Sequence, residues 1–214
     1  SVMIKYAVFD FDGTLVDSNN IKLNAFFQVT NNLPNSKAII EEILSRDVGD
    51  RNTIFEFFSH AMYSEHGISV NINDLISNYT LLCEDEVSQA ISTKDSDESL
   101  EKLLSMGIKI FISSATPEQT LNIIVNKRGN SHLFNGIYGS PNSKEMHIHN
   151  IRRLFQCHSS EIIYVGDSEV DRVAALRTNC HFFGIGHDFS RFSIKPQVLR
   201  ETLHDLPKWV STFT

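Results

Sequence analysis

Asp10 and Asp12 are the first residues in the chain whose types and spacing could do chemistry. They stand two apart in Asp10-Phe11-Asp12-Gly13-Thr14-Leu15-Val16-Asp17-Ser18. Side chains two apart leave an extended segment on the same side. Two carboxylates placed there repel each other unless a cation compensates them. The Gly13-Thr14 that follows favours a tight turn. A second acid pair, Asp167 and Asp171, closes the string Ile162-Ile163-Tyr164-Val165-Gly166-Asp167-Ser168-Glu169-Val170-Asp171. Four carboxylates gathered at neighbouring strand ends demand a hard divalent cation, because such ions take oxygen ligands. A third segment suits an anion. In Ser113-Ser114-Ala115-Thr116-Pro117 an apolar run ends. Pro117 suits a first helical position, and Thr116 with Gln119 reads as a capping box. That would set Ser114 and the amides from Ala115 onward at a helix N-terminus, where an anion is stabilised.

These groups need a frame that carries distant parts of the chain to one edge. Five short runs, Ile4–Phe9, Ile108–Ser113, Gly136–Gly139, Ile162–Val165 and His181–Ile185, are rich in Ile, Val, Phe and Tyr and do not alternate with polar residues. Such runs suit strands buried on both faces of a parallel sheet. Helical patterns lie between them. Ser99–Met106 stops at Gly107, Glu118–Arg128 stops at Gly129, and Lys144–Phe155 and Glu169–Arg177 follow. A glycine just past the last periodic residue is a helix stop signal. Strand alternating with helix predicts an α/β fold with a doubly wound parallel sheet. Ligands of such sheets bind at the carboxyl ends of the strands.

One stretch breaks the alternation. Ile21–Val29, Ala38–Leu44, Ile54–Met62 and Ile72–Cys83 show only helical spacing. The expected division is a discontinuous core of residues 1–17 and 93–214 and an all-helical insert of residues 18–92. The insert carries four basic against ten acidic residues, so most of the acidity sits there, as a solvated helix surface.

The whole chain has 214 residues, 41% of them hydrophobic, enough to bury a core without disulfides. Its 19 basic and 26 acidic residues give a net charge of −7. That balance excludes a dedicated nucleic-acid binder or a basic membrane-surface protein. The three cysteines, Cys83, Cys157 and Cys180, form no CxxC pair and support neither a disulfide framework nor a zinc ribbon. No apolar run reaches the ~18 residues of a spanning helix. A cytoplasmic protein with no membrane or nucleic-acid partner is expected.

Taken together, the acid-bearing and Ser-bearing segments resemble motifs of the haloacid dehalogenase (HAD) superfamily, most of whose members are phosphatases. DFDGTLVDS is similar to the first motif of that family. The strand ending in Ser113-Ser114 is similar to the second, with Ser114, or its neighbour Ser113, at the functional place. Lys144 in Gly139-Ser140-Pro141-Asn142-Ser143-Lys144 is similar to the third; Glu145 follows it where many relatives carry proline. VGDSxxD, from Val165 to Asp171, is similar to the fourth. Asn179 stands where relatives usually end the next helix with glycine, and asparagine also tolerates the left-handed conformation. The motifs occur in family order from Asp10 to Asp171. An all-helical insert just after the first motif resembles the C1-cap class, whose members include monomers and homodimers.

The resemblance implies a Rossmann-like HAD core with a helical cap, and it implies roles. Asp10 is the expected nucleophile, forming an aspartyl-phosphate. Asp12 is the expected acid for the leaving oxygen and base for the hydrolytic water. The Asp10 carboxylate, the Asp12 backbone carbonyl and the Asp167 carboxylate would hold the metal, with Asp171 ordering metal-bound water or Lys144. Oxygen ligands and a phosphate substrate point to Mg²⁺ rather than Zn²⁺. Ser114 and Ala115 would bind phosphate, and Lys144 would neutralise phosphate and nucleophile. Arg46 and Arg51, flanking Asp47-Val48-Gly49-Asp50 in the insert, are candidate readers of a second anionic group. Each could equally pair with Asp47 or Asp50. Phe26, Phe27, Phe55, Phe57 and Phe58 read as the insert's own core.

The expected activity is Mg²⁺-dependent hydrolysis of a small phosphorylated metabolite, of the phosphoglycolate or sugar phosphatase kind. A phosphotransferase of the β-phosphoglucomutase kind is the alternative. Such enzymes carry a His-Leu-Lys-Gly-type cap loop, where this chain has Ser45-Arg46-Asp47-Val48-Gly49. A non-catalytic binding protein on the same scaffold would tend to lose Asp10 or Asp12, and both are present. Asp12 also argues against the dehalogenase branch, which lacks this acid. His147, His149 and His158 read as surface histidines, because residues two apart on a helix do not share a face.

Overall fold

The structure, a computed structural model, describes residues 2–214. The chain divides into two units. One takes in the chain up to Asp17 and Ala90–Thr214; the other is Ser18–Gln89.

The first unit is built on β1 (Tyr6–Phe9), whose Ala7, Val8 and Phe9 are buried. An apolar strand with no polar face must be covered on both sides. β1 therefore sits inside a six-stranded parallel sheet. Its partners are β2 (Lys109–Pro117), β3 (Gly136–Ser140), β4 (Ile162–Gly166), β5 (His181–Ile185) and β6 (Leu199–Arg200), in the order β3-β2-β1-β4-β5-β6. Strand order reverses beside β1, which makes the crevice between β1 and β4 the topological switch point of the sheet. Phe9 is level with Ile112 of β2 and Val165 of β4, so Asp10, Ser113 and Gly166 emerge together at the carboxyl edge.

The helices of this unit follow the sequence pattern closely. α5 is Ser96–Ser105, α6 is Glu118–Arg128, α7 is Lys144–Phe155 and α8 is Glu169–Thr178. α9 (Leu206–Ser211) closes the chain. Val8, Phe111, Tyr164, Ile148, Ile151 and Ala175 form one buried cluster between the sheet and α7 and α8. Strand alternation then brings Asp10, Ser113 and Gly166, two residues beyond Val8, Phe111 and Tyr164, to the same face of the sheet. The polar site stands directly above this apolar floor.

Two expectations fail at β2. The strand does not end at Ser113 but runs to Pro117, with an irregular register between them. The capping box from Thr116 to Gln119 does not form, and α6 starts at Glu118 after an extended Pro117 (ψ 133°) with no side-chain cap. The reason lies at Pro117: it is extended rather than helical and pairs with Ser140 of β3, so the strand runs through it and the helix starts one residue later. β6, α9 and the loop joining β5 to β6 lie outside the expected elements.

In the second unit, α1 is Asn19–Thr30, α2 is Ser36–Ser45, α3 is Arg51–His66 and α4 is Ile72–Gln89. Phe26, Phe55 and Tyr79 meet in its core. Phe26 stacks on Tyr79 at 4.3 Å between ring centroids, and Phe55 meets Tyr79 edge-on at 5.7 Å. Phe58 is fully buried, whereas Phe57 is exposed. Among the described residues, no helix is long and apolar enough to cross a membrane.

Candidate active site

Asp10 is the first residue past β1, and its N–H donates to Val165 O at 2.9 Å, which keeps it in register with β4. Its buried carboxylate accepts from Lys144 Nζ at 3.0 Å. Lys144 opens α7 behind Ser143, whose hydroxyl accepts from the Met146 N–H at 3.2 Å. The same ammonium donates to Asp171 Oδ1 at 2.6 Å. Asp171, in the first turn of α8, uses its other oxygen locally. Oδ2 accepts from the Asp167 N–H at 3.2 Å, the Ser168 N–H at 3.2 Å and the Ser168 hydroxyl at 3.0 Å. Both oxygens of this fully buried acid are thus engaged by the protein. Gly166 makes the approach possible: a Cβ there would lie 2.3 Å from Asp171 Cγ.

Asp167 follows β4 and is buried. Thr14 Oγ1 donates to its Oδ1 at 3.4 Å, and Arg191 Nη1 donates to its Oδ2 at 2.8 Å. Arg191 lies on the loop after β5. That loop is held to α8, because the Glu169 N–H donates to Arg191 O at 3.0 Å and Glu169 also accepts from Ser193 and Arg172. The Glu169 carboxyl is drawn down to about 2, first by its bond to Arg172. The pattern reading missed Arg191, since a lone arginine in an aperiodic loop carries no signal.

Asp10, Asp167 and Asp171 place carboxylate oxygens within 4.8 Å of one another. Burial, with Asp171 and Asp167 alongside, pushes the Asp10 carboxyl well above the usual range, against the pull of Lys144. Burial alone would lower the Lys144 ammonium, but Asp10, Tyr164 and Asp171 hold it well above its ordinary value, so it stays charged. Two carboxylates crowded into a buried space need a proton or a cation between them. Asp10 and Asp167 therefore fit a hard divalent ion, whose preferred ligands are such oxygens. Asp171 fits better as the anchor of Lys144, since it takes one bond from that ammonium and three from the start of α8, whereas Asp167 is bonded to the half-exposed Arg191 and, at 3.4 Å, to Thr14.

The other expected residues lie as follows. Asp12 is half-buried; Thr116 Oγ1 stands 3.4 Å from its Oδ2, so the continuation of β2 reaches it. Its carboxylate is not among the three that cluster. Ser114 is buried and accepts the Thr116 N–H at 3.1 Å, while Ala115 beside it is exposed. Ser113 lies on the opposite strand face, at 2.7 Å from His147 Nδ1. Arg46 and Arg51 belong to the helical unit. Arg51 donates to Thr80 Oγ1 at 3.0 Å and lies 4.8 Å over the Tyr79 ring; Arg46 lies 5.0 Å over Phe57.

The surface reading of His147 is wrong. His147 is buried and bonded at both ring nitrogens, while His149 and His158 are exposed. Residues three and four apart share a helix face, and Lys144, His147, Ile148 and Ile151 make the buried face of α7.

A family model for haloacid dehalogenase-like hydrolases matches residues 7–185. No curated protein matches the sequence. Among solved structures, a predicted phosphoglycolate phosphatase from Haemophilus somnus is 20% identical, covers 96% of this chain and 97% of its own, and superposes with a TM-score of 0.73. A HAD-hydrolase of Bacillus subtilis, solved bound to magnesium, is 18% identical over 97% of this chain and 99% of its own, with a TM-score of 0.74. L-2-haloacid dehalogenase from Xanthobacter autotrophicus is 15% identical over 99% and 100%, with a TM-score of 0.68. At these identities the likeness is one of fold.

Proposed function

The chain belongs to the haloacid dehalogenase-like hydrolases, and on that premise we propose that it is a Mg²⁺-dependent phosphatase hydrolysing a small phosphorylated metabolite through an aspartyl-phosphate. The observation that carries the reading is the buried Asp10 carboxylate beside a charged Lys144 that Asp171 holds in place. The wider likeness hosts phosphatase and dehalogenase names alike; Asp12 favours the phosphatase, which needs an acid for an alkoxide leaving group.

In this proposal Asp10 attacks phosphorus in line with the leaving oxygen. The phosphorus–oxygen bond to the leaving group breaks as the aspartyl-phosphate forms, and Asp12 gives the leaving oxygen its proton. Asp12 then takes a proton from water, which attacks the same phosphorus and returns Asp10 as carboxylate. Lys144 offsets the negative charge shared by nucleophile and phosphoryl group, and Ser114 turns its hydroxyl hydrogen to a phosphoryl oxygen. Mg²⁺ held by the Asp10 and Asp167 carboxylates and the Asp12 carbonyl would screen nucleophile from phosphate, the main need in phosphoryl transfer. Arg46 and Arg51 are the proposed readers of the leaving group.

The test is phosphate release from a panel of phosphoglycolate, hexose phosphates and nucleotides, with Mg²⁺, with chelator, and with Asp10→Asn beside the wild type. Mg²⁺-dependent release lost in the variant is expected. Release that survives in Asp10→Asn would overturn the nucleophile.

A further inference from the structure

His147 has both ring nitrogens committed inside the protein. Nδ1 lies 2.7 Å from Ser113 Oγ at the end of β2, and Nε2 lies 2.8 Å from the Gly139 carbonyl at the end of β3. A carbonyl oxygen only accepts. Nε2 therefore carries the hydrogen, and in the neutral ring Nδ1 is then an acceptor to which the Ser113 hydroxyl donates. The Tyr138 ring stacks on the imidazole at 5.7 Å between centroids. The Gly139 peptide is held on its other side as well, its N–H donating to Glu118 Oε1 at 3.2 Å. No Cβ fits at Gly139, where one would lie 2.4 Å from Thr116 O.

Three residues before His147, and on the same helix face, stands Lys144. Its position is an awkward one for a cation. A helix N-terminus is electropositive and disfavours a lysine in its first turn. Lys144 must also leave water to reach Asp10 and Asp171. Both costs favour a frayed first turn with the ammonium swung into solvent, unless something fastens the turn to the sheet. His147 is the side chain of that turn that reaches two strand ends at once. Burial lowers the imidazole's affinity for a proton and outweighs the Gly139 carbonyl, Glu118 and the Asn142 backbone, which raise it, while Lys144 acts with burial; the net shift is downward and favours a neutral ring that does not repel the ammonium.

We infer that His147 is a positioning residue for Lys144: clamped between Ser113 Oγ and the Gly139 carbonyl, it pins the first turn of α7 to β2 and β3 and so sets where the ammonium stands. The inference rests on the proposed phosphatase only in what Lys144 does once placed.

The experiment compares wild type, His147→Phe and Ser113→Ala by the ¹H–¹⁵N signal of the Lys144 ammonium and by steady-state kinetics with p-nitrophenyl phosphate and Mg²⁺. Phenylalanine keeps the ring and its stack on Tyr138 but removes both bonds; alanine removes only the Nδ1 contact. The wild type is expected to show a slowly exchanging ammonium signal. His147→Phe should lose it, and kcat should fall roughly tenfold or more, since small misplacements carry that scale of loss, while KM changes little. Ser113→Ala should lie between, and it carries the comparison if the Phe variant does not fold. An unchanged signal in folded variants overturns the inference, as does a wild type with no such signal. A wild type that shows the signal, loses it in His147→Phe and releases no phosphate from p-nitrophenyl phosphate or from any member of the metabolite panel keeps the inference and overturns the phosphatase.

Discussion

Lys144 and Asp171 meet at 2.6 Å with every oxygen of the carboxylate already in use. Asp171 spends one oxygen on the ammonium and the other on the Asp167 and Ser168 amides and the Ser168 hydroxyl. It is a cap for α8 and an anchor for Lys144 in one residue. Removing either partner leaves a buried charge uncompensated, which costs far more than a surface pair.

Asp10→Asn should abolish turnover and raise thermal stability. The sign follows from the raised carboxyl. A group whose folded pKa lies above its unfolded value of about 3.9 loses stability for the fold as pH rises between the two, and the full penalty remains above the folded value. An amide carries no such penalty. The melting temperature measured at neutral pH in chelator should rise by a few degrees, at roughly 2–4 °C per kcal/mol for a chain of this size. A fall would mean that the Lys144 pair outweighs the crowding.

Lys144→Met should lower kcat more than it raises KM, because in the proposed reaction the ammonium opposes charge that develops at the nucleophile and phosphoryl group. It should also destabilise, since Asp10 and Asp171 lose their shared cation. Kinetics with one good substrate and a melting curve check both.

Asp167→Asn should weaken Mg²⁺ binding measured by calorimetry. Losing an outer-shell partner of a metal ligand costs roughly 10–100-fold, and losing a proposed ligand should cost no less. In the wild type the affinity should fall as pH drops through the raised Asp10 value, since that carboxyl must shed its proton to bind.

Gln156→Gly should stabilise the protein without touching activity. Gln156 ends α7 in the left-handed conformation (φ 49°), which costs an L-residue with a Cβ about 1–2 kcal/mol. Thermal melting of a variant with unchanged kcat is the check.

The acid groups were legible because strand ends concentrate them in short strings: Asp10 after an apolar run, Asp167 and Asp171 after another. Asn179 was legible too, and it does end α8 in the left-handed conformation (φ 59°). What escaped has a common cause. His147 belongs to a helix whose buried face mixes a lysine and a histidine with two isoleucines, so polarity at those positions pointed outward. Thr116 reads as a helix cap from its spacing to Gln119, and nothing in that spacing shows that Pro117 stays extended and pairs with Ser140. Arg191 reaches Asp167 through a loop that only tertiary contacts hold.

The sheet order has a consequence for how the molecule is made. In the sheet β1 lies between β2 and β4, and all four helices of Ser18–Gln89 are synthesised before the first of those partners exists. The strand that carries Asp10 must wait unpaired for more than 90 residues on one side and more than 150 on the other. Pairing over such separations is slow, and an apolar edge left open in the meantime invites aggregation. The nascent chain, rather than the finished protein, is where this fold is most exposed to loss.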